Sequence, residues 1–94
     1  MAGQIFGASQ LASAQVSISS TEATVVAARN SRHSVVVQNL PTSAQPVFVG
    51  PATVTATTGI RLAPGDSVVM PFVGAIEAIT ASGTATVVYL DFFD

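Results

Sequence analysis

The sequence predicts an all-β protein, and three observations carry that reading. Apolar and polar residues alternate over short runs, the period of a half-buried strand. Gly, Pro, Ser and Asn interrupt those runs at short intervals. No stretch holds a convincing helical period. About eight short strands result, the pattern of a single-domain antiparallel β-sandwich or a jelly-roll-like barrel. The 94 residues leave room for one domain. We divide them into an extended N-terminal arm, 1–14, and a β-sandwich domain, 15–94.

The arm, MAGQIFGASQLASA, has no charged side chain, and Ile5, Phe6 and Leu11 are its apolar anchors. A short helix over 8–14 is the alternative for this segment. Strand vocabulary begins at Gln15, where Gln15-Val16-Ser17-Ile18-Ser19 alternates strictly. A second strand falls within 22–28, around Thr24-Val25-Val26, and a polar connector, Arg29-Asn30-Ser31-Arg32, follows. The run 33–39 contains Val35-Val36-Val37, three apolar residues in succession, as in a central strand covered on both faces. Pro41 and Pro46 bracket the next turn before Val47-Phe48-Val49. Weaker strands are expected over 53–57 and 60–62, and stronger ones over 67–70, 75–80 and 84–92.

Composition narrows the functional classes. Charged residues make up 9% of the chain, against a usual share of about a quarter. Lys is absent, and the cations are Arg29, Arg32 and Arg61. Soluble monomers disperse themselves and protect strand edges with mixed charge, Lys above all, so a surface this bare suits a protein that ends in contacts. A net charge of -2 offers no basic patch for nucleic acid or an anionic membrane. No run approaches 18 consecutive apolar residues, and no basic region followed by a long apolar run marks a secretion signal. Without Cys there is no disulfide framework.

The residues do not assemble a catalytic pattern. His33 is the sole His, Cys is missing, and no Gly-x-Ser-x-Gly turn occurs. One His cannot build a zinc site. The five carboxylates, Glu22, Asp66, Glu77, Asp91 and Asp94, are scattered and form no calcium loop. Glu77 and Asp91 stand on neighbouring late strands, where an edge ion pair with Arg61 is the expectation. The aromatic set is Phe-rich and lacks Trp, which fits core or interface better than a sugar platform. Tyr89 and Phe93 share one face of the last strand, with Phe92 on the other. No catalytic, cofactor or metal residues are assigned.

In Thr57-Thr58-Gly59-Ile60-Arg61-Leu62-Ala63-Pro64-Gly65-Asp66-Ser67, Pro64 and Gly65 suit the two central positions of a type II turn. The stretch therefore reads as a strand connection. The ordered set Gln38-Asn39, Pro46-Val47-Phe48-Val49-Gly50, this turn and Ile79-Thr80-Ala81-Ser82-Gly83-Thr84-Ala85 resembles small all-β virion proteins of tailed bacteriophages, of the capsid decoration (cement) or head-fibre type. The likeness spans roughly 16–91, and each piece of it is a turn between strands.

The resemblance implies a structural role on a virion, with no catalytic residues to carry over. It implies a cement protein on the capsid surface that binds the major capsid protein and stabilises the shell. A homo-oligomer is expected, a trimer first. The alternatives are a host- or glycan-binding module of a head or tail fibre, or a neck or tail assembly subunit. Expected contact residues are Ile5, Phe6, Leu11, Arg61, Phe92 and Phe93; no cofactor, nucleic acid or membrane is expected.

Overall fold

The alternating runs become paired strands in a computed structural model that describes residues 8–94. In chain order these are β1 (Gln10–Ile18), β2 (Ala23–Val26), β3 (Arg32–Asn39), β4 (Val47–Gly50), β5 (Ile60–Leu62), β6 (Ser67–Met70), β7 (Ile76–Ile79) and β8 (Ala85–Phe93). The pairings nest: β1 with β8, β2 with β7, β3 with β6 and β4 with β5, all antiparallel. Two further pairings, β3 with β8 and β4 with β7, join the nested pairs into sheets ordered β1-β8-β3-β6 and β2-β7-β4-β5. The outcome is an all-β sandwich of two four-stranded antiparallel sheets, all-β as the alternation predicted.

Period-2 geometry sends every second side chain between the sheets. Ile18, Val35, Val37, Val47, Ile76 and Val87 are completely or almost completely buried there. Burying each such side chain contributes about 1.5–3 kcal/mol against the entropy of ordering the chain. The three successive Val divide: Val35 and Val37 enter the core, while Val36 turns to the outer face and stays half-buried.

Two elements differ from expectation. Strand β1 begins at Gln10, so part of the segment read as an arm, or as a short helix over 8–14, continues the sheet; residues 1–7, with Ile5 and Phe6, lie outside the described residues. Alternation was hidden here because Ala12 and Ala14 are too small to mark an inner face and Leu11 points outward. The second is 53–57, which is loop rather than strand. Thr55 Oγ1 lies 3.1 and 3.0 Å from the hydroxyls of Thr57 and Thr58, and the Thr58 and Gly59 amides donate to the Thr55 carbonyl. Such local bonds offer the backbone an alternative to a ladder.

Register fixes two ends of the sandwich. Gln10 and Arg32 both pair with Phe93, so the start of β1, the start of β3 and the end of β8 meet at one end, beside the β2–β3 and β6–β7 connections. The β1–β2, β3–β4, β5–β6 and β7–β8 connections gather at the other.

Candidate interaction surface

At the first end a charged cluster sits where apolar packing would be usual. Asp91 occupies an inward position of β8, two residues after Tyr89, and is 1% exposed. Arg32, opening β3, donates from Nε to Asp91 Oδ1 at 2.8 Å. Its remaining nitrogens donate to the carbonyls of Phe72 (3.0 Å), Gly74 (2.9 Å) and Ala27. One guanidinium thus binds β8 and the β2–β3 and β6–β7 connections together. Arg29 brings Nε to 3.0 Å from Asp91 Oδ2, close enough for an ion pair but without the alignment of a hydrogen bond. Its guanidinium carbon stands 3.5 Å over the Phe93 ring. A buried carboxylate needs such partners, because charge taken out of water is costly unless it is paired and hydrogen-bonded.

Outside this cluster the same end carries a second polar tie. His33 Nε2 and Asp94 Oδ2 lie 2.7 Å apart, while Asp94 Oδ1 accepts from the Ser9 amide at 3.1 Å and its hydroxyl at 3.2 Å. The bond with His33, followed by the Ser9 bonds, holds the Asp94 carboxyl below its ordinary value.

The opposite end is organised by Asn39 and the Pro-Gly turn. Buried Asn39 donates from Nδ2 to the carbonyls of Gln45 (2.9 Å) and Leu62 (3.0 Å). Its own carbonyl accepts from Gly65 at 2.8 Å. Asp66 closes the turn through its amide to the Ala63 carbonyl at 2.8 Å, and its Oδ2 accepts from the Ala63 amide at 3.0 Å. Gly65 has φ 92°, the value a type II turn requires at its second central position. The turn is a connection, as read from sequence.

The outer faces of the two sheets differ in chemistry. On the β2-β7-β4-β5 sheet, Thr24 Oγ1 donates to Glu77 Oε2 at 2.7 Å, and Arg61 lies opposite Phe48. On the β1-β8-β3-β6 sheet the outward rows run Leu11–Phe92–Ser34, Ser13–Leu90–Val36–Val69 and Gln15–Val88–Gln38–Ser67. None of these residues is charged. Leu11 is 58% exposed, Val69 63% and Leu90 37%. An antiparallel sheet with one solvated face ordinarily turns polar residues to water; here six of the eleven outward side chains are apolar and the other five are uncharged Ser and Gln.

The expected contact residues divide accordingly. Leu11 and Phe92 are direct cross-strand partners on this face. Phe93 falls on the other side of β8, half-buried under Arg29. Arg61 is on the opposite sheet, and among the described residues it makes no ion pair, contrary to the pairing with Glu77 or Asp91 expected for it. Strand β4 stands between it and β7, and Asp91 is taken by Arg32 and Arg29. The Arg29–Arg32–Asp91 cluster was missed because Arg29 to Arg32 read as a polar connector. Its signal was the parity of Asp91, which shares a face with Val87 and Tyr89.

Among the described residues no ligand-sized cavity opens, and no three His, Asp or Glu side chains converge. This geometry has a counterpart among solved proteins. The stem and receptor-binding domain of the spike protein P1 from bacteriophage PM2 superposes with a TM-score of 0.63 at 14% identity, over 81% of this chain. The fold is similar to part of that phage spike chain. The chain spans 31% of the length of that spike chain. A Bacillus endospore appendage protein, from a family of disulfide-linked pili, superposes with a TM-score of 0.53 at 18% identity, over 89% of this chain and 85% of that one. These likenesses concern the fold. No family model matches the chain, and no curated protein does.

Proposed function

We propose that the protein is a structural subunit of a virion or comparable surface assembly, and that its role is capsid decoration. The observation that carries this reading is the uncharged outer face of the β1-β8-β3-β6 sheet, with Leu11, Val69 and Leu90 open to solvent. Laid across neighbouring subunits of the major capsid protein, such a face resists their separation by burying apolar surface. A specific contact of this kind covers about 1,600 Å² in total.

The test mixes purified protein with capsids that lack it and counts the copies bound per particle. Hundreds of copies, with greater resistance of the particle to heat, are the expected result. A handful of copies at one vertex would transfer the protein to a neck or fibre.

A second reading, a host- or glycan-binding module of a fibre, draws on the likeness to part of a phage spike chain that comprises stem and receptor-binding domain. It predicts binding to host cells or glycans by protein that does not decorate capsids.

A further inference from the structure

Four strands stand at the edges of the two sheets, and three are protected in recognisable ways. Strand β5 has three residues and β6 four, while β2 has four and a register shift against β7. Shortness and bulges are the usual devices that stop an edge from recruiting another strand. Strand β1 has neither. It runs for nine residues, QLASAQVSI, in unbroken register with β8 from Gln10–Phe93 to Ile18–Ala85. It contains no Pro and no charged side chain, and nothing among the described residues pairs with its other edge. None of the backbone hydrogen bonds outside the strand ladders uses an amide or carbonyl of Gln10–Ile18.

We infer that this edge pairs with β1 of a second copy of the chain, antiparallel about a two-fold axis at Ala14. Length selects the occupant: each of the other edges is at most four residues long and would leave half of β1 open, whereas β1 matches itself end to end. Pairing about Ala14 places Leu11 opposite the partner's Ser17, Ser13 opposite the partner's Gln15 and Gln10 opposite the partner's Ile18. No like charges meet, because the strand has none. Nine opposed residues exchange about nine main-chain hydrogen bonds. That approaches the total of about ten that a typical specific interface carries. Parity is preserved across the axis, so the two uncharged outer faces join into one eight-stranded surface. An isologous contact of this type makes a dimer or a higher even-numbered oligomer rather than the trimer expected first from sequence. The pairing is independent of the proposed role on a capsid.

Sedimentation equilibrium of the full chain tests it, with folding checked by circular dichroism. Wild type is expected at twice its 9.5 kDa chain mass. Ser13→Lys with Gln15→Lys sets Lys against Lys across the axis and should weaken dimerisation at least 30-fold while the chain stays folded. Ser13→Glu with Gln15→Glu should do the same, and an equimolar mixture of the two variants should recover the dimer. Since the chain has no Cys, Ala14→Cys should oxidise to a disulfide-linked dimer. A monomeric or trimeric wild type overturns the inference. So does a dimer that ignores both charged pairs, or one that is lost instead with Val69→Lys on the outer face. Capsid binding by a monomer would refute the edge pairing and leave the decoration role standing.

Discussion

Arg32 and Asp91, 59 residues apart in the chain, meet as a buried ion pair with Nε 2.8 Å from Oδ1. The pair joins the first residue of β3 to the C-terminal part of β8 and, through the other guanidinium nitrogens, to both connections at that end.

Removing either partner strands the other in the interior. Arg32→Met or Asp91→Leu alone is expected to cost about 3–5 kcal/mol in urea unfolding, a large share of the stability of a small domain. The double variant should recover much of that loss. Arg29→Ala, which removes a half-exposed cation over Phe93, should cost about 1 kcal/mol. A double variant no more stable than the singles would show that the guanidinium acts by bridging the carbonyls, with little dependence on Asp91.

Two glycines on either side of β5 answer to different constraints. At Gly65 a Cβ has open space but φ is 92°, so Gly65→Ala carries backbone strain and should cost about 1 kcal/mol. At Gly59 a Cβ would stand 2.9 Å from the Phe48 backbone carbonyl carbon and 2.7 Å from Val54 Cγ2. Gly59→Ala is expected to lower the thermal midpoint more than Gly65→Ala, and the reverse order would contradict the close approach.

The Asp94 carboxyl supplies a pH dependence. Its folded-state value is depressed by His33 and Ser9, so its contribution to stability is present above the unfolded value of 3.8 and is lost as pH falls through the lower folded value. Asp94→Asn should reduce the thermal midpoint at pH 6 and leave it close to wild type near pH 2. An equal deficit at both pH values would assign the effect to packing and not to charge.

The outer face is predicted to matter for assembly rather than folding. Leu90→Lys and Val69→Lys place a charge on a solvated surface and should change unfolding free energy by no more than about 0.5 kcal/mol. Their capsid occupancy in the mixing experiment should fall at least tenfold. Full occupancy by both variants would remove this face from the contact.

The sandwich was legible because its core strands alternate: Val35 and Val37 against Val36, or Val87 and Tyr89 against Val88, declare which side faces inward. Strand β1 was legible only from Gln15, since Ala12 and Ala14 carry too little apolar area to mark an inner face. The loop over 53–57 was misread because Thr has high strand preference yet its hydroxyls satisfied the turn instead. Of the uncharged outer face, Leu11 and Phe92 could be picked out from their apolar character. That they face each other depends on β1–β8 pairing across the whole chain, which no local pattern encodes. Arg61 illustrates the same limit, since charge alone said nothing of the strand that separates it from Glu77.

The nested order of pairing has a kinetic consequence. The β4–β5 connection spans fewer than ten residues, so that pair can close early, and each outer pair then encloses everything formed before it. The β1–β8 ladder joins residues up to 83 positions apart and carries the heaviest loop-closure cost. Refolding should therefore be slow for so short a chain, with β1 among the last strands to dock. Until it does, β8 is itself an open edge, and a neighbour's β1 can add to it as readily as the chain's own.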